Sequence, residues 1–134
     1  MANLKIYAGV EMSNYVNRFY TAVSVLGGHG RIKQRLVKAY EDNLAVIDDE
    51  DLPIAVKHSF VDLRHMMSRV DPVKREGRIC ASVRKMSVAQ ADECAHKIID
   101  LYADMIRYSD NAQESLPLQF RDQPAIRPFL VKSG

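Results

Sequence analysis

The sequence predicts an all-α fold: a four-helix bundle-like single domain followed by an extended, proline-containing C-terminal tail. Three observations carry that expectation. Apolar residues recur at helical spacing in four stretches of the chain. Glycine, proline and acidic runs punctuate the stretches. After Tyr108 the helical period stops, and Pro117, Pro124 and Pro128 enter.

The first helix is expected from about Glu11 to Leu26, where Met12, Tyr15, Val16, Phe19, Tyr20 and Val23 form one stripe. Upstream, Leu4, Ile6, Ala8 and Val10 alternate, which fits either a strand or an irregular lead-in. "GGHG" at 27–30 breaks the helix and releases a second one, from about Arg31 to Ile47, burying Ile32, Leu36, Tyr40, Leu44 and Ile47. The acidic run Asp48–Asp51 belongs to the next turn, because carboxylates disfavour a helix C-terminus. Leu52-Pro53 opens a third helix whose face is Ala55, Val56, Phe60, Leu63, Met66, Met67 and Val70. Asp71-Pro72 ends it. "RICASVRKM" reads as a short helix through Ile79, Val83 and Met86, although Ile79, Ala81 and Val83 also alternate as a strand does. Ser87 with Gln90 fits a capping box. It starts the best helix in the chain, with Ala91, Cys94, Ala95, Ile98, Ile99, Tyr102, Met105 and Ile106 facing inward. These assignments divide the chain into a helical domain at 1–108 and a tail at 109–134, docked on the domain or on a partner subunit.

"GRICASVRKMSVAQADECAHKIIDLY" and, before it, "RIKQRLVKAYEDNLAVI" with "EDLP" resemble segments of small uncharacterised helical bacterial proteins. The resemblance covers about residues 30–108. It rests mostly on core positions and implies a helical fold, with no activity and no functional residues.

With 134 residues, 47% of them hydrophobic, the chain has enough material for one core without staples. A net charge of +2 selects neither nucleic acid nor an anionic membrane. No stretch approaches the roughly 18 apolar residues of a membrane span, and the first residues carry no signal-peptide pattern. Cys80 and Cys94 are too few for a disulfide framework, so both are expected reduced, in a cytoplasmic protein.

The glycines do not make a phosphate loop. Gly27, Gly28 and Gly30 lead into Arg31-Ile32, without the lysine–hydroxyl pair that reaches phosphate and magnesium. Basic clusters are a better candidate. Arg31, Arg35 and Lys38 share one face, and Arg78, Arg84 and Lys85 belong to a second cluster at 74–85. If adjacent, they would bind anions or nucleic acid through phosphates. His58, Asp62 and His65 at i, i+4 and i+7 form a weak metal candidate, because the outer pair lies roughly 10 Å apart along a helix. Asp92, His96 and Asp100 repeat the pattern on a charged face. Cys94 reads as core, and Cys80 as a thiol near cations.

No catalytic set and no cofactor motif stands out. The expected function is a non-enzymatic helical adaptor or regulator acting through protein–protein interaction, with self-association as a homodimer among its forms. The alternative is a nucleic-acid-associated regulator, and the third is an enzyme with an unrecognised site. Leu116, Leu118, Phe120, Phe129 and Leu130 give the tail enough apolar surface to be a partner-binding arm or a strap over the core.

Overall fold

The computed structural model describes residues 3–73 and 75–114, with side chains at 12–73 and 75–109. The described chain is all-helical. Five α-helices follow one another: α1 (Asn3–Leu26), α2 (Ile32–Asn43), α3 (Ile54–Ser68), α4 (Arg78–Lys85) and α5 (Val88–Glu114), with a 3₁₀ turn at Asp49–Asp51. The long α5 packs against α1, α2 and α3, and the short α4 closes on α2 and α3.

The core lies where the helical stripes meet. Phe19 of α1 and Phe60 of α3 are fully buried and stack edge to face, with centroids 6.0 Å apart. Leu36, Leu63, Met67, Ile98, Leu101 and Met105 complete the interior. Ser82 is the buried polar side chain among the described residues, and its Oγ accepts a hydrogen bond from the Val70 amide at 3.0 Å. That bond ties α4 to the end of α3.

The helix boundaries have local causes. α1 begins at Asn3, so the alternating residues 4–10 form neither a strand nor an irregular lead-in. The turn after α1 needs glycine at Gly30, whose φ is +101°. α2 stops at Asn43, short of the expected Ile47. There the amides of Leu44 and Ala45 both bond the Tyr40 carbonyl, and the Asn43 amide group donates to the Ala39 carbonyl at 3.1 Å. Leu44 and Ile47 are buried nonetheless, in the turns that follow. The segment "RICASVRK" is a helix, and the strand alternative is excluded. α5 starts on the expected capping box: Ser87 Oγ accepts from the Gln90 amide at 3.0 Å, and Gln90 Oε1 accepts from the Ser87 amide at 2.9 Å. It runs past Tyr108 to Glu114, because no proline intervenes before Pro117. Residues 109–114, assigned to the tail from sequence, are therefore helical. The rest of that segment, with Leu116, Leu118, Phe120, Phe129 and Leu130, lies outside the described residues.

Three inward assignments are corrected. Tyr20 and Ile99 are 55% and 42% exposed, and Ala55 is exposed. Tyr20 sits at the edge of the α1–α5 contact, where its ring lies against that of Tyr102 at 5.9 Å. Leu101, absent from the expected stripe, is buried.

The acidic run is a structural hub. Asp48 caps the 3₁₀ turn by accepting from the Glu50 amide at 3.0 Å. Asp49 pairs with Arg64 at 2.7 Å, Glu50 with Lys57 at 3.0 Å, and Asp51 accepts from the Tyr15 hydroxyl at 2.8 Å. One short turn thus fastens α1 and α3 to the end of α2. Glu50, chiefly by its hydrogen bond, holds the Lys57 ammonium above its ordinary pKa.

Candidate functional site

α2 and α4 lie side by side in opposite directions. Near the start of α2, Lys33 Nζ donates to the Arg84 carbonyl at the end of α4, at 3.3 Å. Near the end of α2, the Glu41 carboxylate approaches Gly77, the N-cap of α4; a Cβ there would sit 4.0 Å from Glu41 Oε2. Between these two ties runs a groove of about 580 Å³, wide open to solvent. Val37, Cys80 and Val83 form its apolar floor. Lys33 and Lys38 line the groove beside that floor.

The rim is charged but mixed. Lys33, Lys38 and Arg84 face Glu41, Asp42 and Glu76. Arg84 grips Glu76 with two bonds, Nε to Oε1 at 3.0 Å and one terminal nitrogen to Oε2 at 2.5 Å. This fork holds the Glu76 carboxyl below the ordinary carboxylate pKa. Glu41 and Asp42 make no ion pair among the described residues. The groove is therefore basic toward the start of α2 and acidic toward its end.

Lys38 and Arg84, one from each basic cluster, line the same groove, yet three of the six cations have local duties. Arg35 donates through Nε to the Gly30 carbonyl at 2.9 Å and through a terminal nitrogen to the Leu26 carbonyl, closing the exposed end of α1. Arg78 pairs with Asp71 at 2.6 Å. Arg84 is held by Glu76. Arg31, Lys38 and Lys85 make no ion pair among the described residues. The glycine turn lines a second hollow of about 350 Å³ with His29, Arg35 and Lys38. Its Gly27 and Gly28 amides bond back to α1 carbonyls, which removes them as phosphate donors.

His58, Asp62 and His65 all lie exposed on α3. Among the described residues, no group of three or more His, Cys, Asp or Glu side chains converges as metal ligands would. His96 bonds within its own helix, its Nδ1 3.0 Å from the Asp92 carbonyl. Cys94 is buried, and burial pushes its thiol up to about 11. Cys80 is half-buried at the groove.

Sequence reasoning missed Lys33, Val37, Glu41 and Asp42 as groove residues. The signal was present: Lys33, Val37 and Glu41 are spaced at i, i+4 and i+8, a column beside the buried stripe. A column of mixed type reads as ordinary helix surface until its neighbour is known. Comparison with family models, curated proteins and solved structures returns no significant match. The functional reading accordingly rests on the groove itself.

Proposed function

We propose that this chain is a non-enzymatic helical adaptor or regulator that binds another protein in the groove between α2 and α4. The observation that carries this reading is the combination of an apolar floor with a rim of both signs. Such a surface suits a short peptide segment presenting apolar side chains flanked by charge. A phosphate backbone, in contrast, is repelled by Glu41, Asp42 and Glu76 as much as it is drawn by the lysines. In this reading the long helices α1, α2, α3 and α5 act as a bundle-like scaffold, and α4 is the element they hold out to form the groove. A cytoplasmic location, with a second copy among the partners, belongs to the same proposal.

The test is affinity capture from the native host with the wild-type chain and with Val37→Glu, whose fold is checked by circular dichroism. A partner recovered by the wild type and lost with Val37→Glu supports the proposal. Recovery of the same proteins by both chains refutes it. The second reading, nucleic-acid binding, is favoured by one observation: Lys38 and Arg84, one from each basic cluster, line the same groove. It requires salt-sensitive gel shifts that Arg31→Glu/Lys38→Glu abolishes.

A further inference from the structure

The groove's acidic end and apolar floor have a match within the same chain. Residues 115–134, outside the described residues, hold Leu116, Leu118, Phe120, Ile126, Phe129, Leu130 and Val131, and carry three cations against one acid. We propose that this segment regulates the groove by lying in it, with Phe129, Leu130 and Val131 over Val37, Cys80 and Val83, and with a flanking cation at Glu41 and Asp42. The inference rests on the docking role proposed above and supplies its regulation: an internal strap that a partner must displace.

Reach selects the part of the segment involved. α4 joins α5 through Met86 and Ser87 alone, so the groove lies toward the start of α5. The segment leaves from the other end of α5, about 40 Å away for a helix of this length. Residues 115–120 extend to only about 20 Å. Residues 115–129 extend to about 50 Å, enough to travel the helix and turn into the groove. Pro117, Pro124 and Pro128 favour such an extended path. Phe129-Leu130-Val131 is the apolar triplet within reach. Arg127 and Lys132 flank it, so either direction of the segment brings one cation to Glu41 and Asp42, which make no ion pair among the described residues. The other cation falls beyond the rim, where solvent screens it.

Cys80 reports occupation directly, because it lies on the groove floor, and Cys94 reports global opening, because it is buried in the core. The experiment measures the rate at which a small maleimide labels each thiol in the full chain, in a chain truncated after Ala125, and in Phe129→Asp/Leu130→Asp. The expected result is Cys80 labelling at least about fivefold faster in both altered chains, with Cys94 and the helical spectrum unchanged. Adding a peptide of residues 124–134 to the truncated chain restores protection, and Glu41→Lys/Asp42→Lys in the full chain removes it. Equal Cys80 rates in all chains overturn the inference. So does protection that fades on dilution, which assigns the segment to a second copy. The labelling needs no partner. Failure of affinity capture with persistent Cys80 protection therefore defeats the docking role and leaves the strap standing.

Discussion

Arg64 is the side chain whose loss tests the architecture best. It reaches from α3 to the turn after α2 and makes four interactions of different kinds. One terminal nitrogen donates to Asp49 Oδ1 at 2.7 Å, and the other donates to the Ile47 carbonyl. Its guanidinium lies 4.9 Å from the centroid of the buried Phe60 ring. Its positive charge also acts on the Tyr40 hydroxyl, partly offsetting the burial that raises the tyrosine's pKa. A charged hydrogen bond contributes about 1.5–3 kcal/mol when desolvated. The Arg64 and Asp49 side chains retain 30% and 22% of their exposure, which puts their bond at the low end. The ring contact adds about 0.5–1 kcal/mol. Arg64→Ala should therefore destabilise the chain by about 2–4 kcal/mol. At this size that is a drop in Tm of about 6–16 °C. Arg64→Lys keeps the charge but loses the fork, and should recover no more than about half of the loss. A double-mutant cycle with Asp49→Asn should show coupling of about 0.5–1.5 kcal/mol. The assay is urea unfolding followed by circular dichroism. Arg64→Ala within about 0.5 kcal/mol of wild type would falsify the clamp.

Three further perturbations follow from the same geometry. Ser87→Ala removes the α5 cap and should cost about 1 kcal/mol in denaturant unfolding, and Ser87→Asp should recover most of it. Gly30→Ala forces a side chain into positive φ and should cost about 1 kcal/mol or more, with an unchanged helical spectrum. The Glu76 carboxyl, held low chiefly by its hydrogen bonds from Arg84, contributes stability above the ordinary carboxylate range and loses it as the pH falls through its folded-state pKa. An NMR titration should place its midpoint below the ordinary glutamate value, and Arg84→Gln should move it upward.

Much of the fold was legible because it depends on periodicity. Phe19, Leu36, Phe60, Leu63, Ile98 and Met105 are buried where their spacing put them or its near neighbours. The capping box at Ser87 was readable from two residues, because both bonds are local. What failed to show were relations between distant segments. Nothing near Asp49 announces Arg64, and nothing near Lys33 announces Arg84, since each pairing exists only after helices pack. The α2 boundary failed for a finer reason. Leu44 and Ile47 continue the apolar stripe and are buried, but they are buried in turns, and a pattern of burial does not report the backbone hydrogen bond that ends a helix.

The candidate site shows the same division, and it weighs on the two proposed readings differently. Counting basic residues along the sequence favours an anion face, because Arg31, Arg35, Lys38, Arg78, Arg84 and Lys85 all count equally. In three dimensions three of those six are already committed to carbonyls or carboxylates of the protein itself. A nucleic acid would have to displace Glu76 from Arg84 and compete with Asp71 for Arg78, and each exchange returns little net energy. The acids in the groove meanwhile include two, Glu41 and Asp42, with no cation engaged among the described residues. A ligand that brings its own cations and apolar side chains uses those carboxylates without breaking any existing pair. A protein segment has that chemistry and a phosphate backbone does not. Charge reversal separates the two readings by sign: Glu41→Lys/Asp42→Lys should weaken capture of a protein partner, and should strengthen retention on heparin whatever the function. An unchanged or improved partner yield from that variant would remove the acidic rim from the docking surface.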